Sequence, residues 1–367
     1  MKNNKIIIAG GSGFIGQSLI KYFGKENEII ILGRQSGDNT GNSYNTNQIT
    51  KKDGYNAEYI KWDGKNLDPE WTDSIDGSDL VINLAGKSVN CRYHKKQKKE
   101  IIESRVNATS AIGKAIHNAR NKPSLWINAA SATIYKNSTD KPNDEFTGII
   151  SDLKKDNMPA NFFDTLRYWK NKVIRGILHG KNSIAYKELD LDFSIQVCKT
   201  WEKIFFEQST PGTRKIALRA AITLGEGGVM VPYFNLCKTG LGGRHGNGKQ
   251  MYSWVHADDL ARMIEWLFDK KDTEGIYNCA APNPVTNDQF MSAMRKATEN
   301  KWGLPAPALL LEIGAFLIRT ETELMLKSRW VLPARAMKEG FEFRYPVLEK
   351  ALQEIVSKTK RKKYHLF

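Results

Sequence analysis

Lys5-Ile6-Ile7-Ile8-Ala9 leads directly into Gly10-Gly11-Ser12-Gly13-Phe14-Ile15-Gly16, and this stretch decides the fold. The apolar run is typical of a parallel strand that is buried on both faces. The glycines read as G-x-x-G-x-x-G from Gly10 and as G-x-G-x-x-G from Gly11, and residues 14–23 continue with the apolar spacing of a helix. Glycines between a strand and a helix permit a sharp turn, the close approach of a diphosphate and tight packing of the helix.

This glycine turn predicts a dinucleotide site. The first amides of a helix have no partner within the helix, so the amides of residues 14–16 are expected to face the phosphates. A glycine-rich turn without a ligand is the alternative. The residues predicted to bind the cofactor here are Gly10, Gly13, Phe14, Ile15 and Gly16.

Strand-like and helix-like segments alternate beyond the turn. Further strands are predicted at Glu28–Leu32, Ala57–Trp62, Asp79–Leu84, Leu125–Ala129 and Lys215–Arg219, and long helices at Lys95–Ala119 and Asp192–Glu207. Repeated strand–helix–strand units imply a doubly wound, Rossmann-like parallel sheet. The predicted fold class is therefore α/β, with a small, mainly helical C-terminal domain.

The rhythm of the sequence suggests how the chain is divided. Residues 1–300 are predicted to form the nucleotide-binding domain, with pocket-forming parts at about 222–256. A segment at about 136–187 interrupts the pattern, and we expect it to cover the pocket as an insertion, with a surface elaboration that packs elsewhere as the alternative. Residues 301–357 form the predicted C-terminal domain, and residues 358–367 a tail.

The composition excludes several classes of protein. The chain has 367 residues, 41% hydrophobic and 26% charged, so it can bury a sizeable core and is not predominantly disordered. Basic residues exceed acidic ones by 55 to 40, but dense runs occur only at 95–99 and 358–363. We interpret the excess as a solvated basic face and expect no nucleic-acid partner.

The cysteines and the apolar segments indicate the cellular compartment in which the protein is expected to reside. Cys91, Cys198, Cys237 and Cys279 lie far apart, which argues against a zinc ribbon or a disulfide framework. The N-terminus enters the first strand at once, and the apolar stretch 308–318 is too short to span a bilayer and is broken by Glu312. We expect a soluble, cytoplasmic protein with no membrane partner.

The end of the second strand indicates which dinucleotide is bound. NAD-preferring proteins carry an acid at this position for the ribose 2′-hydroxyl, whereas Leu32-Gly33-Arg34 ends in an arginine. A guanidinium suits a 2′-phosphate through charge-assisted hydrogen bonds. Arg34 therefore predicts NADP(H), and a solvated surface arginine is the alternative.

Several motifs together resemble a known family. They are GGSGFIG (10–16), LGR (32–34), WDG (62–64), NLAG (83–86), SRVNAT (104–109), VCKTWE (197–202), LRAAITLGEGG (218–228), SWVHADDLA (253–261), YNCAAPNPVTN (277–287) and VLPARAMKEGFEFRYP (331–346). The sequence resembles the extended, atypical branch of the short-chain dehydrogenase/reductase superfamily. More narrowly, it is similar to the epimerase-like oxidoreductases that carry a small C-terminal domain of unknown function.

The resemblance implies further contacts with the cofactor. Asp63 should lie near the adenine, and the backbone of Leu84, Ala85 and Gly86 should follow the ribose and the diphosphate. Asn107 resembles the superfamily asparagine that supports the active-site end of the sheet. A helix asparagine with a purely structural role is the alternative.

The resemblance also implies a catalytic serine, but the usual tyrosine and lysine are missing. In this superfamily a Ser or Thr after the fifth strand and a Tyr-x-x-x-Lys pair polarise a carbonyl while hydride moves. Ser131 resembles that serine, with a strand-end turn as the alternative. The tyrosine and lysine positions fall near Ser194 and Cys198. The one literal match, Tyr168 to Lys172, lies in the inserted segment, and we interpret it as coincidence.

Other residues are weaker candidates for the substrate pocket. Tyr135 is a candidate proton donor, with core packing as the alternative, and the resemblance places His256 at the pocket edge. Arg219 and Arg244 are cations suited to an acidic substrate, although each is also a plausible salt-bridge residue. We expect no metal, because no further His or Cys is placed to complete a site with His256.

Two functions compete. The first is an NADP(H)-dependent oxidoreductase or epimerase-like enzyme acting on an unidentified small carbonyl or hydroxyl compound. The second is a dinucleotide-binding regulatory protein with little or no turnover, which the missing tyrosine and lysine favour. A small-molecule substrate is the predicted partner, and a homodimer is left open.

Overall fold

Seven parallel strands form the centre of the molecule. The computed structural model describes residues 1–34, 54–91, 93–152, 192–305 and 328–365. The sheet has the order β10-β6-β5-β4-β1-β2-β3. Its strands are β1 (Lys5–Ala9), β2 (Glu28–Gly33), β3 (Ala57–Lys61), β4 (Leu80–Asn83), β5 (Leu125–Ser131), β6 (Arg214–Ala220) and β10 (Gly275–Cys279). Two small two-stranded sheets add β7 (Ile222–Leu224) with β9 (Trp254–His256), and β8 (Met251–Tyr252) with β11 (Val285–Thr286).

Nine α-helices are described in these ranges. They are α1 (Phe14–Phe23), α2 (Pro69–Ile75), α3 (Lys95–Asn118), α4 (Phe193–Glu207), α5 (Met230–Lys238), α6 (Ala257–Asp269), α7 (Asn287–Ala297), α8 (Ala334–Lys338) and α9 (Leu348–Lys358). No helix in the described part of the chain is long and apolar enough to cross a membrane.

The central sheet is covered on both faces because its strands are apolar throughout. In β1, Ile6 and Ile8 pack into a cluster that includes side chains of α1 and α6. Ile7 points the opposite way, into a cluster with side chains of α2, α3 and α4. All three isoleucines are fully buried. Alternate side chains of one strand thus hold one helical layer each.

The predicted Rossmann-like α/β fold is confirmed. All six predicted strands are present, and their ends differ from the prediction by at most two residues. The seventh strand, Gly275–Cys279, is a correction, because the sequence analysis did not predict it. It reads Gly-Ile-Tyr-Asn-Cys, so a polar residue breaks the apolar run that signals the other strands.

The described part of the predicted C-terminal domain shares its core with earlier segments. Helix α9 packs against α7 in a cluster that also includes Phe234 and Trp254. Residues 328–331 extend this contact, because Arg329 bridges to Tyr252. A boundary at residue 300 therefore does not separate two cores. In the predicted tail, the carbonyl of Tyr364 accepts a hydrogen bond from Asn300.

The predicted inserted segment lies mostly outside the described residues. Its first part, residues 136–152, begins soon after β5 and turns back on itself. An isolated β-bridge joins Tyr135 to Ile150 there. Tyr168, Lys172 and the aromatic residues near them fall in the range 153–191, which the structure does not describe. The prediction that the insertion covers the pocket stays a prediction.

Asp259 attaches the C-terminal segment to α6. Its side chain is fully buried and accepts hydrogen bonds from the backbone amides of Arg344 at 2.7 Å and Tyr345 at 2.8 Å. Arg262 pairs with the same carboxylate at 3.0 Å. This contact gives Asp259 a structural role at the start of α6.

We predict that Asp259→Ala lowers the free energy of unfolding by about 2–5 kcal/mol, because it leaves two backbone amides without an acceptor at roughly 1–3 kcal/mol each. Urea unfolding of the full chain measures the change. The control is Asp269→Ala at the exposed end of the same helix, which should change stability by less than about 0.5 kcal/mol. Equal effects of the two substitutions would contradict the assigned role.

Candidate active site

The glycine turn lies where the strand order changes direction, between β1 and β4. Gly10 has a φ of +78°, and a Cβ there would lie 2.9 Å from backbone atoms of Ala85. Gly16 is equally constrained, since its Cβ would lie 2.5 Å from Gly11. These two glycines bring the turn, helix α1 and the segment after β4 into contact. Open α/β sheets bind their ligands in the crevice at such a point.

Gly13 differs from its neighbours because space is open beside it. It caps α1 with a φ of −76°, and an added Cβ would meet only the Gly10 carbonyl oxygen, at 3.5 Å. The first turn of α1 contains no acidic side chain. The exposed amides and the positive end of the helix dipole therefore form a cradle that fits a diphosphate.

The side chains of Phe14 and Ile15 pack into the protein, so their amides are the groups that remain for a ligand. A Cβ at Gly228 would lie 2.7 Å from the Phe14 ring, and one at Gly225 would lie 2.9 Å from it. Ile15 packs against the core cluster on the α1 face of the sheet. The loop 225–228 thus forms a second wall of the phosphate cradle.

The predicted adenine end contains Arg34 and Asp63. Arg34 directly follows β2 and is exposed, and its positive charge opposes the rise in the pKa of Tyr59 that burial causes. Asp63 accepts hydrogen bonds from the amides of Lys65 and Asn66 at 2.9 Å, which lower its pKa together with the Asn66 side chain. The structure thus gives Asp63 a turn-forming role, and its contact with adenine stays a prediction.

The segment after β4 borders both the glycine turn and helix α3. The Leu84 amide donates to the Ala9 carbonyl at 2.8 Å, and the Ala85 amide donates to the Asn83 side chain at 3.0 Å. A Cβ at Gly86 would lie 3.1 Å from Cζ of Arg105. A cation that the sequence analysis did not single out therefore lies beside the predicted cofactor segment.

A buried polar network supports the carboxyl ends of β4 and β5. Asn83 donates to Asn128 at 2.7 Å and to the Thr109 hydroxyl at 3.1 Å. The Trp201 indole donates to the same hydroxyl at 3.1 Å, which ties α4 to α3. The predicted supporting residue, Asn107, makes no side-chain hydrogen bond within the described ranges. Its supporting role stays a prediction, and the network of Asn83, Asn128 and Thr109 supports the strand ends from the strands themselves.

Ser131 and Cys198 meet at the end of β5. The Ser131 hydroxyl accepts a hydrogen bond from the Thr133 amide at 3.2 Å and also contacts the Cys198 thiol. Burial raises the pKa of Cys198 to about 12, so the thiol is neutral. Ser194 lies one turn before Cys198, and its buried hydroxyl has no hydrogen-bond partner among the described residues. Neither residue supplies the charge or the proton donor of the usual pair.

Tyr135 and Arg219 are corrected from substrate candidates to structural residues. The guanidinium of Arg219 makes two hydrogen bonds of 2.8 Å to the Glu202 carboxylate, and both side chains are buried. Tyr135 is 1% exposed, donates to Asn278 at 3.0 Å and lies against Arg219. Burial raises the pKa of Tyr135, so it is a poor proton donor near neutral pH.

His256 also has a structural role, which corrects its predicted place at the pocket edge. It caps α6 by accepting from the Asp258 amide at 3.1 Å, and its other ring nitrogen lies 3.0 Å from Glu354 of α9. His256, Asp258 and Glu354 are close enough to hold a metal ion. Both ring nitrogens are engaged, however, and Lys358 pairs with Glu354, so we interpret the group as a link between helices.

Arg244 lies on an anchored loop. The loop 240–248 is held by hydrogen bonds to Leu304 and Asn287. Its His245 is fully buried, and burial lowers the pKa of that imidazole to about 4. Arg244 itself is exposed and forms no ion pair among the described residues. Its contact with a substrate stays a prediction.

The geometry defines a Rossmann protein with an NAD(P)-type cleft, and comparisons with known proteins agree. The NAD dependent epimerase/dehydratase family matches residues 6–155, and a domain of unknown function, DUF1731, matches residues 306–355. The predicted resemblance to epimerase-like proteins that carry this C-terminal domain is confirmed by the two matches.

Relatives match over nearly the full length of the chain. The Bacillus subtilis epimerase family protein YfhF is 28% identical and covers 97% of this chain and 99% of its own. The human epimerase family protein SDR39U1 is 24% identical, with 96% and 100% covered. A crystal structure of that human protein with NADPH has a TM-score of 0.71 at 23% identity and covers 97% of this chain and all of its own. The predicted NADP(H) cofactor agrees with these relatives.

We predict that Cys198 resists alkylation at pH 8. With its pKa at about 12, it holds about a thousandfold less thiolate than an ordinary thiol. Iodoacetamide labelling followed by mass spectrometry compares it with Cys91, which is less buried and should react first. Labelling of Cys198 as fast as Cys91 would show that the thiol is activated, which contradicts the neutral site.

Proposed function

We propose that this protein is an NADP(H)-dependent oxidoreductase or epimerase-like enzyme that acts on a small carbonyl or hydroxyl compound. The open helix N-terminus at Gly13 carries the proposal. Backbone atoms of the glycine turn border this helix end on one side, and the Phe14 ring borders it on the other. The cation of Arg34 follows β2. These are the features that a phosphorylated dinucleotide requires. The human relative crystallised with NADPH supports this choice of cofactor.

Each part of the cleft would hold a different part of the cofactor. Arg34 would pair with the 2′-phosphate, and the amides of residues 14–16 would hold the diphosphate. Residues 84–86 would border the nicotinamide ribose. The bound cofactor supplies or accepts hydride. The hydroxyl of Ser131 accepts from Thr133 and contacts the Cys198 thiol, and it would turn its hydrogen to the substrate oxygen when substrate binds.

The second candidate, a dinucleotide-binding regulator with little turnover, is favoured by the neutral Ser194 and Cys198. Without a tyrosine and lysine at these positions, the described residues of α4 offer no acid with a pKa near neutrality. Incubation of the NADPH complex with a panel of aldehydes, ketones and oxo acids separates the two candidates. Oxidation of NADPH supports the enzyme, and tight binding without oxidation supports the regulator.

A cytoplasmic location and a homodimeric state are further proposals. Free thiols support the location, because all four cysteines are unpaired although three of them are buried. Analytical ultracentrifugation of the purified chain would test the dimer. A small molecule remains the proposed partner.

We predict that NADPH binds more tightly than NADH and that Arg34→Ala removes most of the difference. Loss of a charge-assisted contact costs about 1.5–3 kcal/mol, which corresponds to a loss of roughly ten- to a hundredfold in NADPH affinity. NADH affinity should stay within about twofold, since NADH has no 2′-phosphate. Fluorescence titration of both cofactors measures this.

The control for Arg34 is Arg120→Ala. Arg120 is an exposed arginine between the end of α3 and the start of β5, at the opposite ends of the parallel strands from Arg34. Its removal should leave both affinities unchanged. Equal affinities of the wild-type protein for NADPH and NADH would contradict the assignment of Arg34.

We predict that Gly13→Ala and Gly13→Val abolish NADPH binding without unfolding the protein. The new side chain has room in the fold, since its Cβ meets only one atom at 3.5 Å, but it occupies the space for the diphosphate. Circular dichroism tests whether the variants fold, and titration with NADPH tests whether they bind the cofactor.

Gly16→Ala provides the contrast, because its Cβ would lie 2.5 Å from Gly11 and should destabilise the turn itself. A folded Gly13→Val protein with normal NADPH affinity would show that the turn is not the phosphate site.

A further inference from the structure

Three segments that are distant in the sequence meet at one surface of the C-terminal region. We call this the basic–apolar surface, and it consists of residues 238–241, 299–304 and 360–364. The Leu304 amide donates to the Gly240 carbonyl at 2.9 Å, which joins the first two segments. The Asn300 side chain donates to the Tyr364 carbonyl at 3.2 Å, which joins the last two. The surface is therefore one continuous face built from three parts of the chain.

The 360–364 segment is held on this surface by further contacts. The Lys238 ammonium at the end of α5 donates to the Lys362 carbonyl at 3.0 Å. The Tyr364 ring packs against the Phe234 ring of α5, with 5.7 Å between the ring centroids. The backbone of this basic segment is thus attached to the fold, while its basic side chains stay exposed.

The basic–apolar surface has an excess of positive charge. Its one acid is Glu299, which pairs with Arg361 at 3.6 Å. Its six basic residues are Lys238, Lys301, Lys360, Arg361, Lys362 and Lys363. Clusters of roughly four to eight basic residues attract anionic lipid headgroups. The basic run at 358–363 is therefore part of a larger basic cluster in the fold.

Large apolar side chains are exposed among these basic residues. Trp302 is 83% exposed, Leu304 is 66% exposed and Leu241 is 42% exposed. Their backbone is fixed, since the Gly243 amide also donates to the Leu304 carbonyl at 3.2 Å. Exposed apolar side chains that cluster mark a surface that binds a partner. Tryptophan favours the membrane–water interface in particular, because its ring is apolar and its N–H is polar.

The combination of basic and aliphatic side chains favours a lipid surface over a nucleic acid. Both partners carry phosphates that attract lysines. Nucleic acids use exposed rings for base stacking, but Leu241 and Leu304 have no role in such stacking. Both leucines can instead enter the apolar part of a bilayer. The expectation of no membrane partner rested on the lack of a spanning segment, and binding to a membrane surface requires none.

We propose that the basic–apolar surface docks on an anionic lipid membrane. Trp302, Leu241 and Leu304 enter the interface, and the basic side chains around them face the lipid phosphates. Apolar burial and charge attraction act together, which is the combination that stable attachment to a membrane surface requires. The proposal does not depend on the cofactor cleft, which is built from other residues.

Co-sedimentation of the full chain with lipid vesicles tests the proposal. Vesicles of mixed phosphatidylglycerol and phosphatidylcholine supply an anionic surface, and vesicles of phosphatidylcholine alone are the matched lipid control. We expect saturable binding to the anionic vesicles and at least about tenfold weaker binding to the neutral ones. Raising the salt concentration from about 0.1 M to about 1 M should weaken binding to anionic vesicles, because salt shortens the range of charge attraction.

Charge reversal and removal of the indole test the two parts of the surface. Lys362→Glu combined with Lys363→Glu should weaken binding to anionic vesicles by at least about tenfold. Trp302→Ala should weaken it by roughly three- to tenfold, since an apolar contact with the bilayer is lost. If the charge-reversal variant fails to fold, Lys362→Gln with Lys363→Gln removes the charges alone and should still weaken binding several-fold.

Matched variants elsewhere separate this surface from general effects of charge and hydrophobicity. Lys96→Glu with Lys99→Glu makes the same change of net charge in the other dense basic run, at side chains that are 82% and 72% exposed. Phe146→Ala removes another aromatic ring, at a residue that is 58% exposed. Both should leave the affinity for anionic vesicles within about twofold, because charges far from the docked surface are screened. Circular dichroism checks that every variant folds.

Four results would overturn the proposal: no saturable binding to anionic vesicles, equal binding to neutral vesicles, an equal loss in the Lys96→Glu, Lys99→Glu variant, or unchanged affinity in Trp302→Ala. Tighter binding of a single-stranded oligonucleotide that is lost in the Lys362→Glu, Lys363→Glu variant would assign the surface to nucleic acid instead. Titration with NADPH tests the proposed function separately, and its affinity should be the same in every variant.

Discussion

The close approach of Gly10 to Ala85 is the contact on which the site depends. A backbone separation this small requires a residue without a side chain, and the positive φ of Gly10 requires the same. The contact fixes the start of α1 against the segment after β4. Because Gly86 follows directly and lies against Arg105, the same contact also sets the distance between the phosphate cradle and the cation. One glycine thus links both ends of the proposed cleft.

The sequence predicts the elements of this fold well because its signals are local. Apolar runs such as Ile6–Ile8 show the buried strands, and the glycines show the turn between β1 and α1. Strand β10 was not predicted because Asn278 interrupts its apolar run, and that buried side chain accepts from Tyr135 and donates to the Leu332 carbonyl. A partner more than a hundred residues away cannot be inferred from a five-residue window.

The same limit explains the errors among the site residues. Arg219 and His256 carry the right chemistry for a pocket, but their partners, Glu202 and Glu354, engage them elsewhere. The sequence shows a charge and not the group that neutralises it. Arg105 presents the opposite case. It lies inside the motif SRVNAT, and only the absence of a described counter-ion distinguishes it from an ordinary helix arginine.

The charges in this cleft differ from those of the usual tyrosine–lysine arrangement, so the chemistry that they support differs as well. In the usual arrangement one helix supplies both a cation and a proton donor. Here α4 supplies a neutral serine and a neutral thiol, whereas the cation comes from α3 across the cleft. A cation without an adjacent acid can bind an anionic group of a ligand, but it cannot deliver a proton. Among the described side chains of α4, neither Ser194 nor Cys198 therefore supplies the protein base that epimerisation requires.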